Sequence, residues 1–206
     1  PYGKGSEINQ NPGAKLSLRF NHPIAAIDTA AWRLFRDTTR EEMRFSFELD
    51  TLGYRNIVLN FPWQEEMMYE LEVMPGGCRD IFGQQSDTIR LNLKTGQFKD
   101  YGNIVLRLGD MLPEKSYHFE LREKSGRMIE NFGVSGLEAS DKTLRTLPSG
   151  QYNLHIFEDV NKNGRWDTGN YLRFLQPERI FIRELEQLRK NWDLEVSVAV
   201  EEELKP

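Results

Sequence analysis

The chain is expected to be all-β and to fold as two consecutive β-sandwiches, and three observations carry that expectation. Apolar residues recur at every second position in short runs, the period of a strand with one face toward a core. Turn-forming residues separate these runs at even spacing, as a sandwich requires. Helical periodicity is nearly absent apart from a turn expected at residues 184–189. With 206 residues there is enough chain for two cores.

Taken in order, the runs are Leu16, Leu18 and Phe20, then Phe45, Phe47 and Leu49, then Ile57, Leu59 and Phe61. Tyr69, Leu71 and Val73 follow, and then Ile89, Leu91 and Leu93. Turns are expected at Asn21 to Pro23, Leu52-Gly53 and Pro75 to Gly77, where proline, glycine and asparagine break the alternation. A Thr95-Gly96 break comes next, and the rhythm restarts with Ile104, Leu106 and Leu108, and with Tyr117, Phe119 and Leu121. Further strands are expected at Lys142 to Leu147, Gln151 to Glu158, Glu178 to Arg183 and Trp192 to Val200. In the last of these Trp192, Leu194, Val196, Val198 and Val200 share one inward face. The boundary is therefore placed near residue 96, giving domains at 1–95 and 97–206. The run Glu201-Glu202-Glu203 reads as a solvated end.

Composition narrows the function classes. A net charge of −5 and a pI near 5.4, with basic residues scattered among acids, give no electrostatic footprint for nucleic acid. No apolar run approaches the roughly 20 residues of a membrane-spanning helix. The chain begins at Pro1, as a trimmed or mature chain does, so membrane association is expected only through an anchor further upstream. Its one cysteine, Cys78, has no partner for an internal disulfide and is expected to be inert.

The most informative stretch is Asp159-Val160-Asn161-Lys162-Asn163-Gly164-Arg165-Trp166-Asp167. Hard cations such as Ca²⁺ take about six to eight oxygens, and a calcium loop supplies them from alternate side chains, a tight glycine turn and a backbone carbonyl. On that template Asp159, Asn161 and Asn163 are the first ligands, Gly164 makes the turn, Arg165 gives its carbonyl and Asp167 adds a carboxylate. Asn170 stands where an EF-hand places a bidentate glutamate, so Ca²⁺ affinity is expected to be weak. The preceding residues Tyr152, Leu154 and Ile156 alternate, so the loop is borne on a strand. The competing reading is that Asp and Asn cap their own backbone in a turn.

Catalysis needs an acid, a base and a nucleophile that converge, and no such set is recognisable. His22, His118 and His155 are dispersed and read as surface residues, without zinc spacing. Glu41-Glu42 and Glu65-Glu66 are sequence neighbours, which strands send to opposite faces. The glycines at 76, 77 and 136 lack the setting of a nucleotide loop. Trp166 and Tyr171 flank the Asp/Asn stretch and are the candidates for a sugar- or peptide-binding platform, because a ring offers apolar area with a polar edge.

The residues Leu16 to Ile24, Tyr69 to Val73 and Asp80-Ile81-Phe82-Gly83 make the first half resemble the bacterial Ig-like domain family of S-layer and surface proteins. Leu147-Pro148-Ser149-Gly150-Gln151-Tyr152, followed by Asp159 to Gly169, makes the second half resemble a prealbumin-like or Cna-B-type β-sandwich. Together they are similar to surface-exposed lipoproteins of Gram-negative bacteria, although no lipobox cysteine is present. The resemblance implies a cell-envelope or extracellular location, lipid anchoring in the full-length protein, and a protein or glycan partner at the cell surface. It also implies a non-enzymatic structural, adhesive or accessory role, or alternatively a carbohydrate-binding accessory of a glycan uptake or degradation system. Some Cna-B-type domains weld a strand lysine to an asparagine beside an acid, and Lys99, Glu120 and Asn191 are the loosely analogous residue types here.

Overall fold

The computed structural model describes residues 7–36, 39–50, 53–136 and 141–205. Pro1 and the turn residue Leu52 lie outside the described residues. The chain is an all-β sandwich protein that divides into two compact units, Pro1–Phe98 and Lys99–Pro206. The division falls within a 3-10 turn at Phe98–Asp100, three residues after Thr95.

In the first unit the strands are β1 (Glu7–Gln10), β2 (Leu16–Arg19), β3 (Ile24–Ile27), β4 (Trp32–Arg36), β5 (Glu41–Met43), β6 (Ser46–Leu49), β7 (Asn56–Asn60), β8 (Met68–Val73), β9 (Cys78–Asp80) and β10 (Ile89–Thr95). They form a five-stranded sheet β1-β10-β8-β4-β5, a three-stranded sheet β2-β7-β6 and the pair β3-β9. Alternation sets which residues meet. Leu71 pairs with Leu91 and Leu34, and Leu18 pairs with Ile57, so each sheet lays a row of aliphatic side chains on its inner face. These rows join in one buried cluster, where each fully buried aliphatic side chain contributes about 1.5–3 kcal/mol. Trp32 is part of it, and its indole N–H donates to the carbonyl of Gly77 at 3.0 Å.

The second unit contains β11 (Tyr101–Gly109), β12 (Ser116–Glu123), β13 (Met128–Ser135), β14 (Lys142–Pro148), β15 (Tyr152–Glu158), β16 (Ile180–Glu184), β17 (Asp193–Ala199) and the short helix α1 (Val200–Glu203). Two sheets, β14-β11-β17 and β13-β12-β15-β16, enclose its core. β11 and β17 run parallel, with Leu106 opposite Val196 and Leu108 opposite Val198. From the other sheet, Phe119 and Ile156 are paired neighbours in the same core.

The chain departs from the sequence pattern at three places. Residues 184–189 form no helix; Leu185 and Leu188 instead tuck into the core, and Leu188 bridges to Gly150. Trp192 is 50% exposed. The left-handed backbone at Asn191 (φ 52°) turns the chain before β17 begins, and Trp192 lies under the Arg189 guanidinium at 4.9 Å instead of joining the inward row. The acidic run at the end is α1, and Glu201 is held by Lys115, the Tyr117 hydroxyl and Arg179. Burial works to raise the Glu201 carboxyl, but those partners together hold it below the ordinary carboxylate value.

Candidate functional site: an Asp/Asn loop folded over the second unit

β15 delivers the chain to Asp159, and the loop then turns back over the outer face of its own sheet. Register explains what it covers. His118 of β12 stands opposite Phe157 of β15 and Gly133 of β13, and Phe157 stands opposite Ile180 of β16. Gly133 leaves room for the His118 ring, which packs on Phe157 at 5.1 Å between centroids. A Cβ at Gly164 would stand 3.4 Å from the His118 ring, so the glycine permits both the positive φ of 70° and the close approach. His118, expected on the surface, is therefore buried: the loop covers the outward face that strand alternation alone would leave open.

The loop closes on itself. Asp159 is 6% exposed, and its two carboxylate oxygens accept the Asn163 N–H at 3.0 Å and the Gly164 N–H at 2.9 Å. The Asn161 side-chain oxygen also accepts the Asn163 N–H, and that of Asn163 accepts the Arg165 N–H at 2.7 Å. Both carboxamide nitrogens then donate to one oxygen of Asp167, from Asn161 at 2.5 Å and from Asn163 at 3.1 Å. Asp159, Asn161, Asn163 and Asp167 are thus linked by hydrogen bonds within the loop, and Arg165 enters this network through its N–H, where its carbonyl was expected to serve as a ligand.

A residue that sequence reasoning missed completes the ring. The Glu178 carboxylate accepts the Val160 N–H at 2.9 Å and the Asp167 N–H at 3.0 Å, and its carbonyl accepts the Trp166 indole N–H at 2.8 Å. No local spacing announces it; Glu178 arrives because the chain returns toward β16 alongside the loop.

This arrangement bears on a cation. Among the described residues no three His, Cys, Asp or Glu side chains come together as a metal-holding group. Ca²⁺ at this loop would have to draw on the Asp oxygens and on Asn161 and Asn163, whose amide nitrogens now face Asp167. Turning those amides aside gives up two charge-assisted hydrogen bonds. The donor set fits a hard cation in chemistry and disfavours tight binding in energy.

Trp166 is 41% exposed and Tyr171 stands almost free in a 3-10 turn, Tyr171–Arg173, capped by the Asn170 side chain. No contact between the two rings occurs among the described residues. Next to the loop is a cleft of about 530 Å³ lined by Asn161, Asp167, Asn170, Gln176, Glu178 and Arg179 among others.

The other candidates separate. His22 Nδ1 lies 2.8 Å from Asp80 Oδ2 in the first unit, and burial of Asp80 is outweighed by the N–H groups of Gln84 and Phe82 and by His22, which hold its carboxyl low. No hydroxyl or thiol is hydrogen-bonded to His22 among the described residues; Ser86 Oγ accepts the Cys78 N–H instead. Burial pushes the Cys78 thiol up to about 11, which leaves it protonated and unreactive at neutral pH. His155 faces Glu120 and Ile182 across its strands, with its imidazole pKa lowered by burial and by Arg122. Glu120 is paired with Arg122 at 2.7 Å on the outward face of the four-stranded sheet. Asn191 bonds instead to Tyr101 of the other sheet, so the acid and the asparagine of the weld are not gathered.

No protein-family model and no curated protein matches the chain. Among solved structures it is similar to the N-terminal part of the bacterial S-layer protein SbsC, at 13% identity and a TM-score of 0.38, over 74% of this chain and 40% of that one. It is similar also to the Bacillus anthracis TIE protein, at 13% identity and a TM-score of 0.29, over 89% of this chain and 33% of that one. The chain thus spans two fifths or less of the length of either protein. Overlaps this loose carry no argument about function, and the all-β class rests on the strand pairing itself.

Proposed function

We propose that the chain is a non-enzymatic module of the cell envelope or extracellular surface, with a structural, adhesive or accessory role, and that Ca²⁺ binds weakly at Asp159–Asp167 and stiffens the loop. The observation that supports this reading is the loop itself: two carboxylates, Asp159 and Asp167, gathered by N–H donors on the end of a rigid sheet. Such a loop keeps its shape without metal, and a cation has to compete with the donors already there. The affinity belongs in the weak extracellular range of about 10⁻⁴ to 10⁻³ M. Anchoring through lipid, by a segment outside this chain, belongs to the same reading. Titration calorimetry with calcium is the test. Heat that saturates in that range and vanishes in Asp167→Asn supports the reading, and no binding at tens of millimolar, roughly tenfold beyond the upper limit, leaves only an Asx turn.

Exposure of Trp166 and Tyr171, the chain neighbours of the cleft-lining Asp167 and Asn170, favours a second reading, a carbohydrate-binding accessory. Its test is oligosaccharide binding measured by titration calorimetry, and binding that survives Trp166→Ala unchanged removes it.

A further inference from the structure

We propose that the loop tip Tyr171–Leu175 seats in the interfacial layer of a lipid bilayer that carries anionic headgroups. Tyr171, Leu172, Phe174 and Leu175 are 90%, 87%, 89% and 58% exposed, four large apolar side chains within five residues. Clusters of this kind mark interaction sites on soluble folds. With so little covered, the tip is a protrusion, and a protrusion suits a soft, deformable surface such as the headgroup region.

Two further features point to lipid in particular. Backbone polar groups are costly in an apolar layer unless paired; this tip pairs its Arg173, Phe174 and Leu175 N–H groups internally, and the remainder stay in the hydrated interfacial layer. The Asn170 N–H donates to the Leu175 carbonyl at 2.9 Å, and the Leu175 N–H donates back at 3.0 Å. The Phe174 N–H reaches the Tyr171 carbonyl, and the Arg173 N–H reaches the Asn170 carbonyl and side chain. The left-handed turn at Phe174 (φ 54°) closes this small hairpin. Charge is the second feature. Arg173 in the tip, with Lys162 and Arg165 in the adjoining loop, is exposed, and none of the three enters a salt bridge among the described residues. The nearby carboxylates Asp159, Asp167 and Glu178 keep their charge but turn to N–H donors of the loop and are less exposed than these cations, which are therefore the outermost charges. Apolar rings flanked by free cations complement an anionic bilayer surface. Trp166 at the base, with its indole N–H tied to the Glu178 carbonyl, has the amphipathic form that settles at headgroup level. No helix among the described residues is long and apolar enough to cross a membrane, so the contact proposed is with the surface alone.

The test is co-sedimentation of the full chain with vesicles of phosphatidylcholine, with and without phosphatidylglycerol, in EDTA so that the outcome is independent of the calcium reading. The chain is expected to sediment with phosphatidylglycerol vesicles, to release as salt is raised, and to show quenching of Trp166 by brominated lipid. Leu172→Ser with Phe174→Ser is expected to weaken binding by at least about tenfold for each side chain, and Arg173→Glu to weaken it only on the anionic vesicles. These side chains are exposed, so the variants retain the melting temperature of the parent. No sedimentation of the parent chain overturns the proposal, as does equal binding by the serine variant. Self-association without lipid that the serine variant abolishes, with no vesicle binding, assigns the tip to a second copy of the chain and overturns it too.

Discussion

Replacing Asp159 with alanine removes the acceptors that hold the turn of the loop, and the structure allows its cost to be worked out. The carboxylate accepts N–H groups from Asn163 at 3.0 Å and Gly164 at 2.9 Å, and it is almost fully buried. A hydrogen bond to a charged group is worth about 1.5–3 kcal/mol net. Water can reach the freed amides because the surrounding loop is exposed, so the lower end applies and the total is about 2–4 kcal/mol. Asp159→Asn keeps one acceptor oxygen and turns an NH₂ toward the other amide, for roughly half that loss. With a urea slope of about 2 kcal/mol/M, the alanine variant should move the midpoint down by about 1–2 M. The assay is urea unfolding followed by tryptophan fluorescence. A midpoint that shifts by less than about 0.5 kcal/mol equivalent, the range of an ordinary surface substitution, would refute the claim that this carboxylate locks the loop.

Other outcomes follow from the same contacts. Gly102→Ala would place a Cβ 2.6 Å from the Arg189 carbonyl oxygen and 2.8 Å from Leu188, so about 1–3 kcal/mol of stability should be lost in the same urea assay. Glu201 has a folded pKa below its unfolded value, so its contribution is complete above about 4.5 and is lost as pH falls through the folded value; midpoints measured on an acid series should fall there, and less so in Glu201→Gln. Burial pushes the hydroxyls of Tyr117 and Tyr152 up to about 12, so their contribution is full below pH 10 and is lost between about 10 and 12; absorbance titration should show these tyrosinates forming only with unfolding. Cys78 should resist a thiol reagent at pH 8 until denaturant is added, because it is buried with its pKa at about 11. Residues 1–98 and 99–206, expressed apart, should each give a cooperative unfolding transition, since each has its own buried cluster.

Strands with clean alternation were legible in the sequence because one face is buried and the other is not. Leu16 and Leu18, Ile57 and Leu59, and the row Ile104, Leu106 and Leu108 all behave this way. What was not legible is what tertiary pairing creates. β1 carries little apolar pattern and exists because it lies parallel to β10, with Ile8 opposite Leu93. β3 starts at Ile24, directly after the turn expected at Pro23, because β9 pairs with it. β13 has partly buried residues on both faces and is held by its register with β12. In the site, the clustering of Asp159, Asn161, Asn163 and Asp167 was legible in the spacing, since these four side chains bond within their own loop. Glu178 and His118 could not, because one comes from a returning segment and the other from a neighbouring strand covered by the loop.

Amide hydrogen exchange at Asn163, Gly164 and Arg165 tests the central claim most directly. Each of these N–H groups donates to an Asp or Asn side-chain oxygen, at 3.0, 2.9 and 2.7 Å. Exchange is expected to be slower than in an unstructured peptide in calcium-free buffer, and slower again when calcium reaches the millimolar range. Exchange at peptide rates, unchanged by calcium, would contradict it.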